Sequence, residues 1–326
     1  MKNKMKKAAV ILFLFTSFIF LIVQSSLCIR YASQGLLIWF EKMIPTLFPF
    51  MVLSGFMVRS GLSAKLTFIF FPLTLLYRIT PAMSYGIFMG FFCGFPMGAK
   101  VISDLLETGQ ITKKQGEYLL AFTNNIGPAY LLGYVFLLFN EKYIAITCLL
   151  FYGIPLIYGL LLRLHPFYRQ LGHKEAKLIV NQRKEFPLLA HCIYEAILGA
   201  LQQINLLGGC MILFNCLQIY PQTMIKLLTT LGVFTPALSL LSPVLSSLTE
   251  IGGGLLQFSQ YNDSYHSPLF FSLIYSLLTF GGLSCLCQTW FILEKTGLSI
   301  KSYFFHKLNQ SILIFFVLSQ VAKMLQ

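Results

Sequence analysis

Read from the amino terminus, the chain alternates long apolar runs with short polar breaks, and the lengths of those runs predict membrane helices. Residues 8–27 form an apolar stretch behind a basic flank, long enough at about 1.5 Å per residue to cross a hydrocarbon core of about 30 Å. The stretch is too long for a signal peptide, and it ends in Ser25-Ser26-Leu27-Cys28, where bulky Leu27 disfavours cleavage. It therefore predicts a retained first helix with the amino terminus inside. Residues 36–58 are apolar but interrupted by Pro45 and Pro49, with Glu41 and Lys42 near the start. Residues 66–76 and 83–95 are too short to span, and 119–139 is broken at its centre by Asn124-Asn125-Ile126-Gly127-Pro128. Residues 144–162 read as an ordinary span. Short apolar segments broken by Gly and Pro are the pattern of re-entrant hairpins and discontinuous helices.

The second half has the same style. Residues 190–219 carry Glu195, Gln202, Gln203 and Asn205; 227–248 contains Pro236 and Pro243 and ends at Thr249-Glu250-Ile251-Gly252-Gly253-Gly254. Residues 268–293 hold Gly281-Gly282-Leu283-Ser284 and Gln288, and 312–322 closes the chain. A shift of 188 residues superimposes Phe92 on Phe280, Gly94 on Gly282, Thr108-Gly109 on Thr296-Gly297 and Lys113 on Lys301. Weak internal symmetry with broken helices in matching places is the pattern of transporter repeats. The expected fold is an all-α polytopic integral membrane protein of two pseudo-symmetric repeats. Its expected organisation is an amino-terminal helix (1–35), a first repeat (36–162), a basic cytoplasmic loop (163–187) and a second repeat (188–326).

Composition agrees with the pattern: 56% of the 326 residues are hydrophobic and 11% charged, less than half the charge of an average soluble domain. The net charge of +13 would point to nucleic acid in a soluble protein. Here the basic residues gather at Lys2, Lys4, Lys6 and Lys7 and between Arg163 and Lys184, as cytoplasmic flanks do, so no nucleic-acid partner is expected. The eight cysteines lie mostly in apolar runs without a C-x-x-C pair, and the five histidines are scattered. No disulfide, metal site, cofactor or catalytic residue is expected. Phosphate-loop, dinucleotide and nucleophile-elbow motifs are absent, so any transport would be secondary, channel-like or driven by a separate partner.

Polar groups inside the apolar segments are the candidate chemistry, because a charge at mid-bilayer costs at least about 2.5 kcal/mol. Lys100 and Asp104 share a helix face; Lys100 could meet an anionic ligand after the Phe95-Pro96-Met97-Gly98 turn, or pin a hairpin as half of an ion pair. Asn124 and Asn125 flank a Gly127-Pro128 break, where two amides can donate and accept without ionic desolvation, or simply cap helices. Glu250 before three glycines could carry a proton or cation, or cap a helix. Gln288, near Ser284 and Gly282, could bind solute or bridge helices.

The runs Gly94-Phe95-Pro96-Met97-Gly98-Ala99-Lys100, Asp104-Leu105, Gly109 and Leu119-Leu120-Ala121-Phe122-x-Asn124-Asn125-x-Gly127-Pro128 resemble the YlbJ-like sporulation integral membrane proteins. Ile44-Pro45-Thr46-Leu47-Phe48-Pro49-Phe50 and Gly281-Gly282-Leu283-Ser284 with Gln288 fit the same pattern, whereas Thr249-Glu250-Ile251-Gly252 matches it loosely. That resemblance implies nucleoside-recognition Gate domains, related to the core of concentrative nucleoside transporters. It implies a transporter of a small anionic solute in the outer forespore membrane, with dipicolinate the expected substrate. The expected solute site is Phe95, Pro96, Gly98, Lys100, Asn124, Asn125, Gly127, Glu250, Ser284 and Gln288. Two alternatives stand beside this: a non-transporting scaffold for other sporulation membrane proteins, and a nucleoside-type transporter.

Overall fold

In the computed structural model, which describes residues 2–62, 71–139, 141–169, 171, 189–232, 236–264 and 267–325, the regular elements are all helices. Four helical runs among them are long and apolar enough to cross a membrane: Ser25–Arg59, Ile144–Leu162, Leu189–Thr230 and Pro268–Leu293. Large apolar side chains such as Phe15, Phe18, Phe40, Leu137 and Leu149 stand exposed on the outside. Water would not tolerate such a surface, but lipid matches it. The chain is an all-α polytopic membrane protein.

Helix α1 (Lys2–Val23) is followed after Gln24 by α2 (Ser25–Ile38), which runs through a π turn (Trp39–Met43) into α3 (Ile44–Arg59). Pro45 and Pro49 do not end this run. Pro45 lies in the first turn of α3, where a missing N–H is tolerated, and the wide π turn before it supplies slack. Then come α4 (Phe71–Tyr77), α5 (Pro81–Cys93), α6 (Met97–Glu107) and α7 (Lys113–Thr123). The chain is non-helical over 124–127. It resumes as α8 (Pro128–Tyr130), a second π turn (Leu131–Val135) and α9 (Phe136–Phe139), before α10 (Ile144–Leu162) and α11 (Pro166–Arg169). Most of the basic loop, 172–187 with Lys174, Lys177, Arg183 and Lys184, lies outside the described residues. Arg163 at its start is a clamp: its guanidinium donates to the carbonyls of Tyr77 (3.0 Å), Arg78 (2.9 Å) and Tyr168 (2.6 Å).

The second half comprises α12 (Leu189–Leu217), α13 (Ile219–Thr230), α14 (Pro236–Thr249), α15 (Ile251–Phe258), a 3-10 turn (Ser259–Ser264), α16 (Pro268–Phe280), α17 (Gly282–Leu293) and α18 (Ile300–Leu325). Helix α18 begins well before the apolar run at 312–322, because Lys301, Lys307, Asn309 and Gln310 dilute the hydropathy of its first half. Element starts recur along the chain. Pro81 pairs with Pro236, Lys113 with Pro268, Pro128 with Gly282 and Ile144 with Ile300, offsets of 155, 155, 154 and 156 residues. The architecture therefore repeats near 155 residues, whereas the residue identities had pointed to 188. The α5–α6 hairpin corresponds to α14–α15, the broken helix at 124–127 to the break at Gly281, and α10 to α18.

The matching starts use matching chemistry. Thr112 caps α7 in a reciprocal box with Gln115, while Ser267 caps α16 by accepting from the Phe270 N–H at 3.3 Å. Thr112→Ala is expected to lower stability by about 1 kcal/mol, with Thr112→Ser near neutral, as read from unfolding of the purified chain in detergent. Helix α18 packs along α16 and also against α7 and α10, so it crosses from one half to the other. This places its polar first half beside the 124–127 break.

Candidate functional site

The breaks meet at the centre, and glycine permits the approach. Gly94 ends α5 at φ 82° and ψ −168°, and a Cβ there would strike the backbone N and Cα of Gly127. The first hairpin turn thus lies directly on the 124–127 break. Gly282 repeats the arrangement: at φ 75° its Cβ would lie 2.6 Å from the Ser247 carbonyl oxygen, so the end of α14 lies on the break between α16 and α17.

Between these two layers is a cavity of about 70 Å³ lined by Phe95, Gly127, Glu250 and Gln288, together with apolar Phe50, Phe92, Leu207 and Met211 from the surrounding helices. Four of the residues singled out from sequence are thereby brought to one wall. Gln288 is positioned by Ser284, whose Oγ accepts from its Nε2 at 3.0 Å. Pro96 sits at the start of α6 after a cis peptide bond, and Gly98 packs against the Asn124 backbone and amide.

The two asparagines divide the work. Asn124 is buried with its amide fully committed: Oδ1 accepts from the Ala99 N–H at 3.2 Å, and Nδ2 donates to Thr289 Oγ1 (3.1 Å) and Tyr303 OH (2.9 Å). It ties α6, the break, α17 and α18 together, and has no donor left for a solute. Asn125 Nδ2 donates to the Phe122 carbonyl at 2.7 Å, while its Oδ1 accepts from Lys307 Nζ at 2.8 Å.

Lys307 was missed in the sequence because it falls outside the apolar run it precedes. The structure buries it completely. Its ammonium lies 4.9 Å from the centre of the Phe95 ring, and among the described residues no carboxylate lies within ion-pair distance. Among the described residues an amide oxygen and a ring face are what this buried amine has to hold it, and as an ammonium it is under-neutralised there, since buried charges are normally paired. Its ring partner Phe95 lines the cavity. In the other half, Tyr152 stands where the 155-residue offset places Lys307, and its OH donates to the Ile126 carbonyl at 3.0 Å. Both halves therefore send a side chain to the same break.

Glu250 starts α15, with Oε2 accepting from the Gly253 N–H at 2.7 Å and from Asn215 Nδ2 at 3.2 Å. It is both a helix cap and a cavity-lining carboxylate.

Lys100 lies elsewhere. It pairs with Asp104, which also faces Arg59 Nη2 at 3.8 Å, and it lines a separate small cavity with Arg59, Glu195 and Gln203. Two cations share one carboxylate there, so losing one leaves Asp104 paired. Lys100→Met is accordingly expected to leave solute uptake within about two-fold of wild type, measured in proteoliposomes at equal protein content; a loss beyond ten-fold would place Lys100 on the solute path.

No family model matches the chain, and no solved structure matches it. Among curated proteins, it is similar to the sporulation integral membrane protein YlbJ of Bacillus subtilis (strain 168), with 26% identity over 312 residues, covering 86% of this chain and 74% of that protein. The resemblance carried by the hairpin and broken-helix motifs thus extends along most of the sequence, and the chain is YlbJ-like.

Proposed function

We propose that the chain moves a small carboxylate-bearing solute across a membrane of the sporulating cell, that dipicolinate is this solute, and that the outer forespore membrane is the place. The reading rests on one observation: Lys307, a buried lysine with no carboxylate partner among the described residues, is held at the break of a discontinuous helix beside a central cavity. An anionic solute supplies the missing countercharge at that position. Facing hairpins and broken helices give a fold of the kind that alternates access around a central site. A membrane role in sporulation is suggested by the name of the Bacillus subtilis relative, and the basic residues at Lys2–Lys7 and in the 163–187 loop favour the cytoplasmic side for both segments.

Glu250 meets an anion in the cavity as a like charge. It therefore carries a proton or a small cation while solute is bound, and gives the carrier an ion to move with its solute. No nucleophile–base pair is part of this reading, which is transport without bond chemistry.

The test is accumulation of radiolabelled dipicolinate in proteoliposomes of the purified chain, with uridine in parallel. Dipicolinate uptake without uridine uptake is expected. Uridine uptake alone would favour a nucleoside carrier, and uptake of neither a scaffold; both reject the proposal.

A further inference from the structure

A second cavity, of about 190 Å³, lies between the middle of α2, Gln222 of α13, the α14–α15 hairpin and the 3-10 turn after it, and shares no lining residue with the central one. Its character is opposite. Arg30, Tyr31, Gln34, Gln222, Gln257 and Gln260 line it, and among the described residues Arg30 is the charged side chain on its wall. We propose that this cavity is a second oxyanion site, which takes a small soluble carboxylate independently of what the central cavity carries.

The inner wall is rigid before any ligand arrives. Gln222 Nε2 lies within hydrogen-bonding distance of Gln257 Oε1 (2.8 Å), Ser242 Oγ (2.8 Å) and Ser246 Oγ (3.1 Å). The chain continues from Gln257 Nε2 to Gln218 Oε1 (3.3 Å), from Gln218 Nε2 to Asn215 Oδ1 (2.9 Å), and from Asn215 to the Glu250 carboxylate. A wall locked in this way loses little entropy on binding.

The outer wall keeps its donors free. Arg30 and Gln34 lie four residues apart on α2 and so share a face. Neither hydrogen-bonds to another described residue, and no described carboxylate pairs with Arg30. A guanidinium with an amide one turn away matches the two oxygens of a carboxylate. Pro243, Leu256 and the rings of Tyr31 and Tyr261 are the apolar part of a lining that is otherwise polar, which does not suit an acyl chain, so the ligand is a soluble anion and not a lipid headgroup. Gly253 closes the inner end, and its N–H is spent on Glu250. A bound anion therefore stops there, in front of a like charge.

Calorimetric titration of the full chain in detergent with dipicolinate and isophthalate tests this, with chloride and phosphatidylglycerol micelles as comparators. Lys307→Met, which removes the central cation, is expected to keep one dicarboxylate site. Adding Arg30→Gln should weaken that site at least ten-fold, and adding Gln34→Leu, which leaves the charge in place, several-fold. Arg30 is exposed, so circular dichroism should find its variant folded. The proposal is overturned if Lys307→Met binds no dicarboxylate, if Arg30→Gln changes nothing, if chloride competes as well as the dicarboxylates, or if only the lipid binds. A central cavity that carries no anion would show instead as unchanged uptake in Lys307→Met, which leaves the Arg30 comparison intact.

Discussion

Replacing Lys307 with methionine is expected to cut dipicolinate uptake in proteoliposomes by more than ten-fold while leaving the chain as stable as wild type or more so. Both halves of that result follow from the surroundings of the ammonium. Full burial with no carboxylate beside it among the described residues makes the cation expensive to keep, and an isosteric apolar side chain removes the expense. On the proposed reading, the solute supplies the countercharge that the described residues do not. Asn125→Ala separates charge from packing, because it removes the one hydrogen-bond acceptor that Lys307 has among the described residues and leaves the amine in place. It should destabilise the chain by about 3 kcal/mol, and the double variant with Lys307→Met should recover most of that. Unfolding in detergent gives the stability cycle, and uptake gives the function. Wild-type uptake in a well-folded Lys307→Met would remove the anion from the centre of the protein.

The apolar runs foretold the helices well where a run was uninterrupted: Ile144–Leu162 is one helix with the bounds hydropathy gives it. The breaks at 94–96, 124–127, 250 and 281 were legible too, because Gly, Pro and Asn side by side leave the helical ladder no alternative. Two things were hidden. Pro45, Pro49, Pro155 and Pro243 mark no breaks, since π turns and packing absorb the lost hydrogen bonds, which no local pattern reveals. The repeat was hidden by its chemistry, which is equivalent without being identical. Thr112 and Ser267 do one job, and Tyr152 and Lys307 both hydrogen-bond to the same break, whereas the identities at 188 came from Gly, Phe, Thr and Lys. Of the residues that line the cavity, Gly127, Glu250 and Gln288 stand out in the sequence as polar or flexible exceptions within apolar runs, and Phe95 as part of the Gly-Phe-Pro turn. Lys307 escaped because polar neighbours made its own segment look like a loop.

Gly94→Ala should be among the most damaging single-methyl additions in the chain. The φ/ψ pair at this position belongs to glycine almost exclusively, and forcing an L residue into it costs about 1–3 kcal/mol by itself. The new Cβ would also meet the backbone of Gly127, which no side-chain rotation can move aside. Relief requires the hairpin turn to lift from the break, which separates Phe95 from Gly127 and opens the cavity they share. A loss of at least about 4 kcal/mol is expected, seen as aggregation on extraction or a large drop in the thermal midpoint, with uptake abolished. Gly153→Ala and Gly209→Ala supply the contrast. Both glycines lie inside helices with open space where a Cβ would go, so alanine there should be neutral or stabilise by about 0.5–1 kcal/mol. If Gly94→Ala behaves like these two, the hairpin does not rest on the broken helix, and the wall assembled from Phe95, Gly127 and Glu250 loses its physical basis.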